Sequence, residues 1–138
     1  MSKAYQVVGI GNAVSDVIAI SSDEFLAKNG VEKGIMQLVD QPRAEALFAA
    51  MESRTETPGG SVANTIAGLG SLGLRTAFIG RVADDDLGHS YALAMQTEGT
   101  DFPNPPVRNA VLPTSRSMIF VSPDGERSMN TYLGISSD

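Results

Sequence analysis

Two short segments carry residue types suited to holding a polyhydroxyl ligand. The first is Gly59-Gly60-Ser61-Val62-Ala63-Asn64. Glycines at a helix mouth leave backbone N–H groups bare to a ligand, and Ser61 and Asn64 add side-chain hydrogen-bonding groups beside them. The second is Gly9-Ile10-Gly11-Asn12-Ala13-Val14-Ser15-Asp16. Asn12 and Asp16 follow a strand-like run, at the end where open α/β sheets take ligands. A carboxylate and an amide there can accept from and donate to vicinal hydroxyls. Each segment also has a local reading, with Ser61 as a plain helix cap and Asn12 and Asp16 satisfying a glycine turn. A cap explains Ser61 but not two glycines and a nearby Asn64.

Other patterns carry less. Gly68-Leu69-Gly70-Ser71-Leu72-Gly73 spells a dinucleotide fingerprint, but it lies within and at the end of a predicted helix instead of between strand and helix. It reads as helix packing plus a C-terminal cap. Asp84, Asp85 and Asp86 are adjacent, so their carboxylates diverge; they read as the cap and dipole partner of the next helix, and no metal site is expected. His89 has no nucleophile or ligand companion, and Arg116 and Arg127 read as solvated strand residues. No P-loop, G-x-S-x-G elbow or H-E-x-x-H helix occurs. No catalytic residue is assigned.

The elements that must position these groups follow from periodicity and turn residues. Strands are predicted at 5–10, 14–20, 34–39, 76–79, 118–121 and 128–133. Helices are predicted at about 22–28, capped by Ser21 with Glu24, at 44–51 behind Pro42, at 61–72 and at 87–98. Pro103, Pro105, Pro106 and Pro113 mark a stretch without helix, and Pro123-Asp124-Gly125-Glu126 reads as a hairpin turn. Alternating strands and helices over about 1–100 argue for an α/β fold with a mostly parallel sheet. The all-β stretch at 107–133 suggests a small antiparallel sheet serving as a lid.

Composition limits the function. The chain has 138 residues, 42% hydrophobic and 19% charged, which suits one globular domain with a real core. A net charge of -6 argues against nucleic-acid partners and anionic membrane surfaces. The absence of Cys rules out disulfides and thiolate ligands, and no run approaches a membrane span. The chain is read as cytoplasmic.

The Gly59-to-Asn64 segment, Leu72-Gly73, and Gly80-Arg81-Val82-Ala83-Asp84-Asp85-Asp86-Leu87-Gly88 together resemble the N-terminal signature of the ribokinase/adenosine kinase (PfkB-type carbohydrate kinase) family. The resemblance runs from Gly9 to near Leu133. One departure is Ala83, where the family usually has Gly. The resemblance implies a partial Rossmann-like ribokinase fold, a parallel sheet with flanking helices plus a β-sheet lid. The core would comprise about 1–12 and 58–104, and the lid about 13–20, 34–39 and 107–133. It implies that Asn12, Asp16, Gly59, Gly60 and Asn64 bind the acceptor, with Met36, Met118 and Tyr132 as further candidates from the lid.

These kinases carry their ATP site and catalytic Asp in a later Gly-Ala-Gly-Asp motif, which this sequence lacks. The resemblance therefore implies the acceptor-binding and lid half of an ATP-dependent sugar or nucleoside kinase. ATP and Mg²⁺ are expected for the full enzyme, none retained by this chain, which by itself should not transfer phosphate. The alternative is a non-catalytic module that binds a ligand or associates with itself through the lid or an uncovered sheet edge. The expected partner is a small sugar or nucleoside, and for the self-associating alternative a second copy of the chain.

Overall fold

β-Branched runs broken by glycines set the strands, and small apolar residues at helical spacing set the helices between them. In the computed structural model, which describes residues 4–138, the chain forms eight strands and four α-helices. In order they are β1 (Val7–Ile10), β2 (Val14–Ile20), α1 (Asp23–Lys28), β3 (Met36–Leu38), α2 (Gln41–Ala50), β4 (Thr55–Gly59), α3 (Ser61–Ser71), β5 (Thr76–Ile79), α4 (Asp86–Thr97), β6 (Thr100–Asp101), β7 (Ser115–Val121) and β8 (Arg127–Tyr132). A 3₁₀ turn follows at Gly134–Ser137. Two compact units result: Met1–Ser15 with Thr57–Ser115 and Leu133–Asp138, and Asp16–Glu56 with Arg116–Tyr132.

The first unit holds a parallel sheet in the order β1-β5-β6, with Val7 opposite Thr76 and Ile10 opposite Ile79. Its core is Ala13, Ala63, Ile66, Phe78, Val82, Tyr91, Met95 and Phe102. Phe102 meets Phe78 and Tyr91 edge-on, at centroid distances of 6.2 and 5.4 Å. The Gly-x-Gly-x-x-Gly run packs and ends a helix, as its context predicts. A Cβ on Gly70 would lie 2.7 Å from both Thr76 Oγ1 and Thr100 Oγ1, so only glycine lets α3 sit this close to the strands. Gly73, at φ +97, follows the α3 C-cap.

The second unit is built on the sheet β3-β8-β7-β2-β4. The predicted hairpin is present: β7 and β8 pair antiparallel, from Arg116 opposite Tyr132 to Val121 opposite Arg127. The sheet is mixed rather than antiparallel, because β3 joins β8 in parallel. Val17, Ala19, Leu26, Leu47, Met118 and Phe120 form the core beneath α1 and α2. The cap of α1 is Ser22, accepting from Phe25 N at 3.1 Å, and not its neighbour Ser21. Arg116 is not a simply solvated residue: its guanidinium lies over the Phe48 ring at 5.2 Å, and its Nε is buried without a hydrogen-bond partner.

Lys33 ties α1 to the hairpin turn, with its Nζ 2.9 Å from Asp23 and 2.7 Å from Asp124. Hydrogen bonds to Asp124 and then Asp23 hold the ammonium above its usual range; Lys33 and then Ser122 hold the Asp124 carboxyl below its own. The lowered carboxyl stabilises the fold above the ordinary carboxylate pKa of about 4, and that contribution fades as pH falls toward the folded value. The raised ammonium stabilises below about 10.4, and its share is lost as pH rises beyond that. Lys33→Met is therefore expected to melt lower than wild type between pH 5 and 9. That gap should narrow below pH 4 and in high salt, since all three groups are solvated. Thermal melts across pH read it directly.

Candidate functional site

The glycine turn is built as its composition demands. Gly60 is the N-cap of α3, at φ 99 and ψ 133, and no side chain caps the helix. Such a conformation is essentially open to glycine alone. A Cβ on Gly60 would stand 2.6 Å from the Asn12 carbonyl oxygen, so this glycine also permits a direct backbone approach to the β1–β2 loop. Gly59 is buried, and its carbonyl accepts from the Tyr91 hydroxyl at 3.1 Å. Ser61 is the first helical residue, not the cap. Asn64 lies one turn in, exposed, with its N–H donating to Gly60 O at 2.9 Å. Asn12, Gly59, Gly60 and Asn64 all belong to the first unit, and Gly60 brings Asn12 to the mouth of α3.

Asp16 belongs to the second unit, half-buried on β2. Burial raises its carboxyl above the usual range, and the charge of Arg127 partly opposes that shift. Met36 is exposed on β3. Met118 and Tyr132 lie on the helix-covered face: Met118 is wholly buried in the core, and the Tyr132 hydroxyl donates to Gln41 Oε1 at 3.3 Å.

The acidic turn does more than cap. Asp85 accepts from Gly88 N at 2.8 Å as the N-cap of α4. Its carboxylate also accepts from Thr114 N at 3.0 Å and Thr114 Oγ1 at 2.6 Å, while Thr114 Oγ1 accepts from Ala83 N at 3.0 Å. Thr114 is fully buried, so the pair pins the proline stretch to the turn. Nothing in the sequence marks a partner 29 residues away. Asp84 instead pairs with His89 at 2.5 Å on the surface. Among the described residues no three His, Asp or Glu side chains gather as a metal site. Asp85→Ala strips two charge-assisted bonds from a buried threonine and uncaps α4, an expected loss of about 2–4 kcal/mol. Asp85→Asn, which keeps one acceptor oxygen, should lose about half as much in urea titrations.

Sequence reasoning also missed a cavity of about 410 Å³ beyond the carboxyl ends of β1 and β5, lined by Ile10, Gly11, Ile79, Arg81, Asn104 and Ser136 among others. It lies where open α/β sheets take ligands, but none of Asn12, Gly59, Gly60 and Asn64 lines it. At its rim Asn104 Nδ2 donates to Phe78 O at 3.0 Å.

Residues 34–138 match the model of the pfkB family carbohydrate kinases. The chain belongs to this family. It is 48% identical to the adenosine kinase of Sinorhizobium meliloti, with a TM-score of 0.86 over 99% of this chain and 41% of that one. A probable sugar kinase from Rhizobium etli is 42% identical, with a TM-score of 0.84, covering 98% of this chain and 41% of its own. The probable fructokinase-2 of Arabidopsis thaliana is 29% identical over 119 residues, 81% of this chain and 36% of that protein. The chain thus spans about two fifths or less of the length of these relatives. Its α/β architecture, a parallel sheet with flanking helices, is theirs. Among the described residues, no helix is long and apolar enough to cross a membrane.

Proposed function

We propose that this pfkB-family chain is the acceptor-binding and lid half of an ATP-dependent kinase that phosphorylates a primary hydroxyl of a sugar or nucleoside. The observation that carries the reading is Gly60 at the uncapped mouth of α3, packed on the Asn12 carbonyl. In this reading Asn12, the Gly59-Gly60 backbone and Asn64 hold the acceptor's hydroxyls. Asp16 joins them on the family resemblance, as a carboxylate accepting from a hydroxyl. Met36 remains a candidate contact, while Met118 and Tyr132, turned to the core, are left with packing. The 48% identity to an adenosine kinase favours a nucleoside acceptor over a simple sugar.

Phosphoryl transfer needs charge placed around the γ-phosphoryl group and a base on the attacking hydroxyl. No P-loop motif occurs in the sequence, and among the described residues no three His, Asp or Glu side chains gather as a metal site. In this reading the nucleotide site belongs to the rest of the enzyme. Purified chain incubated with Mg-ATP and adenosine, ribose or fructose is expected to yield no phosphorylated product. Genuine product, lost in Asp16→Ala and therefore made by this chain, would refute the division of labour. A self-associating module is the second reading, favoured by the exposed Val8, Ile10 and Ile79, and it requires a dimer in solution.

A further inference from the structure

The peptide group between Gly59 and Gly60 has two ends that face opposite ways. It is trans, so its C=O and N–H are antiparallel. The carbonyl end is fixed from inside the core, where Gly59 O accepts from the Tyr91 hydroxyl at 3.1 Å. Tyr91 of α4 is 2% exposed, and Phe102 meets its ring edge-on at 5.4 Å, so packing holds the hydroxyl in place. With the carbonyl drawn inward, the Gly60 N–H points the other way, out of the core at the uncapped mouth of α3.

Two adjacent glycines do not keep that orientation unaided. Glycine accepts both signs of φ, so the peptide between them is free to flip. A flip would carry φ of Gly60 from 99 to the negative side, where the backbone is at ease for any residue. Such a conformation persists where something around it over-determines it. Tyr91 is placed to do so. A flip would swing Gly59 O off the hydroxyl and break a hydrogen bond inside the core, where water does not replace it.

We infer that Tyr91 is a positioning residue of the acceptor site: its hydroxyl, through the Gly59 carbonyl, aims the Gly60 amide at a hydroxyl oxygen of the acceptor. The ligand half of this inference rests on the acceptor reading proposed above; the peptide half rests on geometry alone. Tyr91 itself touches no ligand, being buried on α4 and 32 positions from the carbonyl it holds.

Tyr91→Phe keeps the ring and removes the donor. The residual dipolar coupling of the Gly60 N–H, measured without ligand, reports the direction of that bond and should change in this variant. Calorimetry should show adenosine binding weakened about tenfold, the worth of one hydrogen bond. Thr76→Val is the control. It removes the buried Thr76–Thr100 hydroxyl pair, 2.9 Å apart in the same unit, and should lower the melting temperature while both readouts stay at wild-type values. If Tyr91→Phe does not fold, 3-fluorotyrosine, a stronger donor of the same shape, should move the Gly59 carbonyl carbon resonance. An unmoved resonance there, a Gly60 coupling or an adenosine affinity unchanged in Tyr91→Phe, or binding weakened as much by Thr76→Val would each overturn the inference. Wild-type chain that binds no adenosine would instead overturn the acceptor reading, and the Gly60 coupling would still decide the role of Tyr91.

Discussion

Gly60→Ala is expected to destabilise the chain by at least about 3 kcal/mol, the largest effect of any single methyl group added to the candidate site. Two costs combine. A non-glycine residue at φ 99 and ψ 133 pays about 1–3 kcal/mol in backbone strain. The new Cβ also stands 2.6 Å from Asn12 O, a backbone atom that cannot swing aside as a side chain would. Gly73→Ala separates the two, because Gly73 has φ +97 but nothing within 4 Å of its Cβ. That variant should lose only the strain, about 1 kcal/mol. Equal losses in urea titrations would mean that the close approach to Asn12 carries no weight.

Asp16→Asn is expected to abolish acceptor binding, by a factor of at least a hundred, while the fold stays as stable as wild type or becomes more so. The sign follows from the raised carboxyl. Burial makes the ionised form of Asp16 more costly in the folded chain than in the unfolded one, and Arg127 offsets only part of that. Above the folded value the wild type carries this penalty; below an ordinary carboxylate pKa of about 4 it does not. The amide removes it, so the thermal gain should appear at pH 7 and vanish near pH 3. A residue that lowers stability and is kept for a ligand shows this trade-off. Calorimetry with adenosine and thermal melts at the two pH values measure both halves. Lower stability at pH 7 with binding intact would mark Asp16 as structural.

Much of this was readable from residue types, and the exceptions have physical causes. The α3 helix was legible because Ala63 and Ile66 fall on one face between a glycine entry and a Gly73 exit. Strand β5 at Thr76–Ile79 was equally plain, as a short apolar run before Gly80. Strand β4, Thr55–Gly59, was not: Thr-Glu-Thr-Pro-Gly has no apolar alternation, and Pro58 is tolerated because the strand ends the sheet order. The two-residue β6 offers no pattern at all, and its existence depends on pairing with β5. The parallel seam between β3 and β8 joins residues some 90 positions apart, beyond any local signal. Within the candidate site, the turn itself was legible, but its shape was not. Ser61 had the chemistry of a cap, yet Gly60 takes that position. Asp85 showed its cap and hid its grip on Thr114, because a hydrogen bond across the proline stretch leaves no trace in spacing.

In the proposed reading the glycine turn at the mouth of α3, together with the β1–β2 loop, receives the acceptor. Backbone amide shifts of the labelled chain, followed by NMR during titration with adenosine, test it most directly. Saturable shifts are expected, concentrated at Asn12, Asp16, Gly59, Gly60 and Asn64. No saturable shift, or shifts gathered instead around Arg81, Asn104 and Ser136 at the cavity, would contradict it.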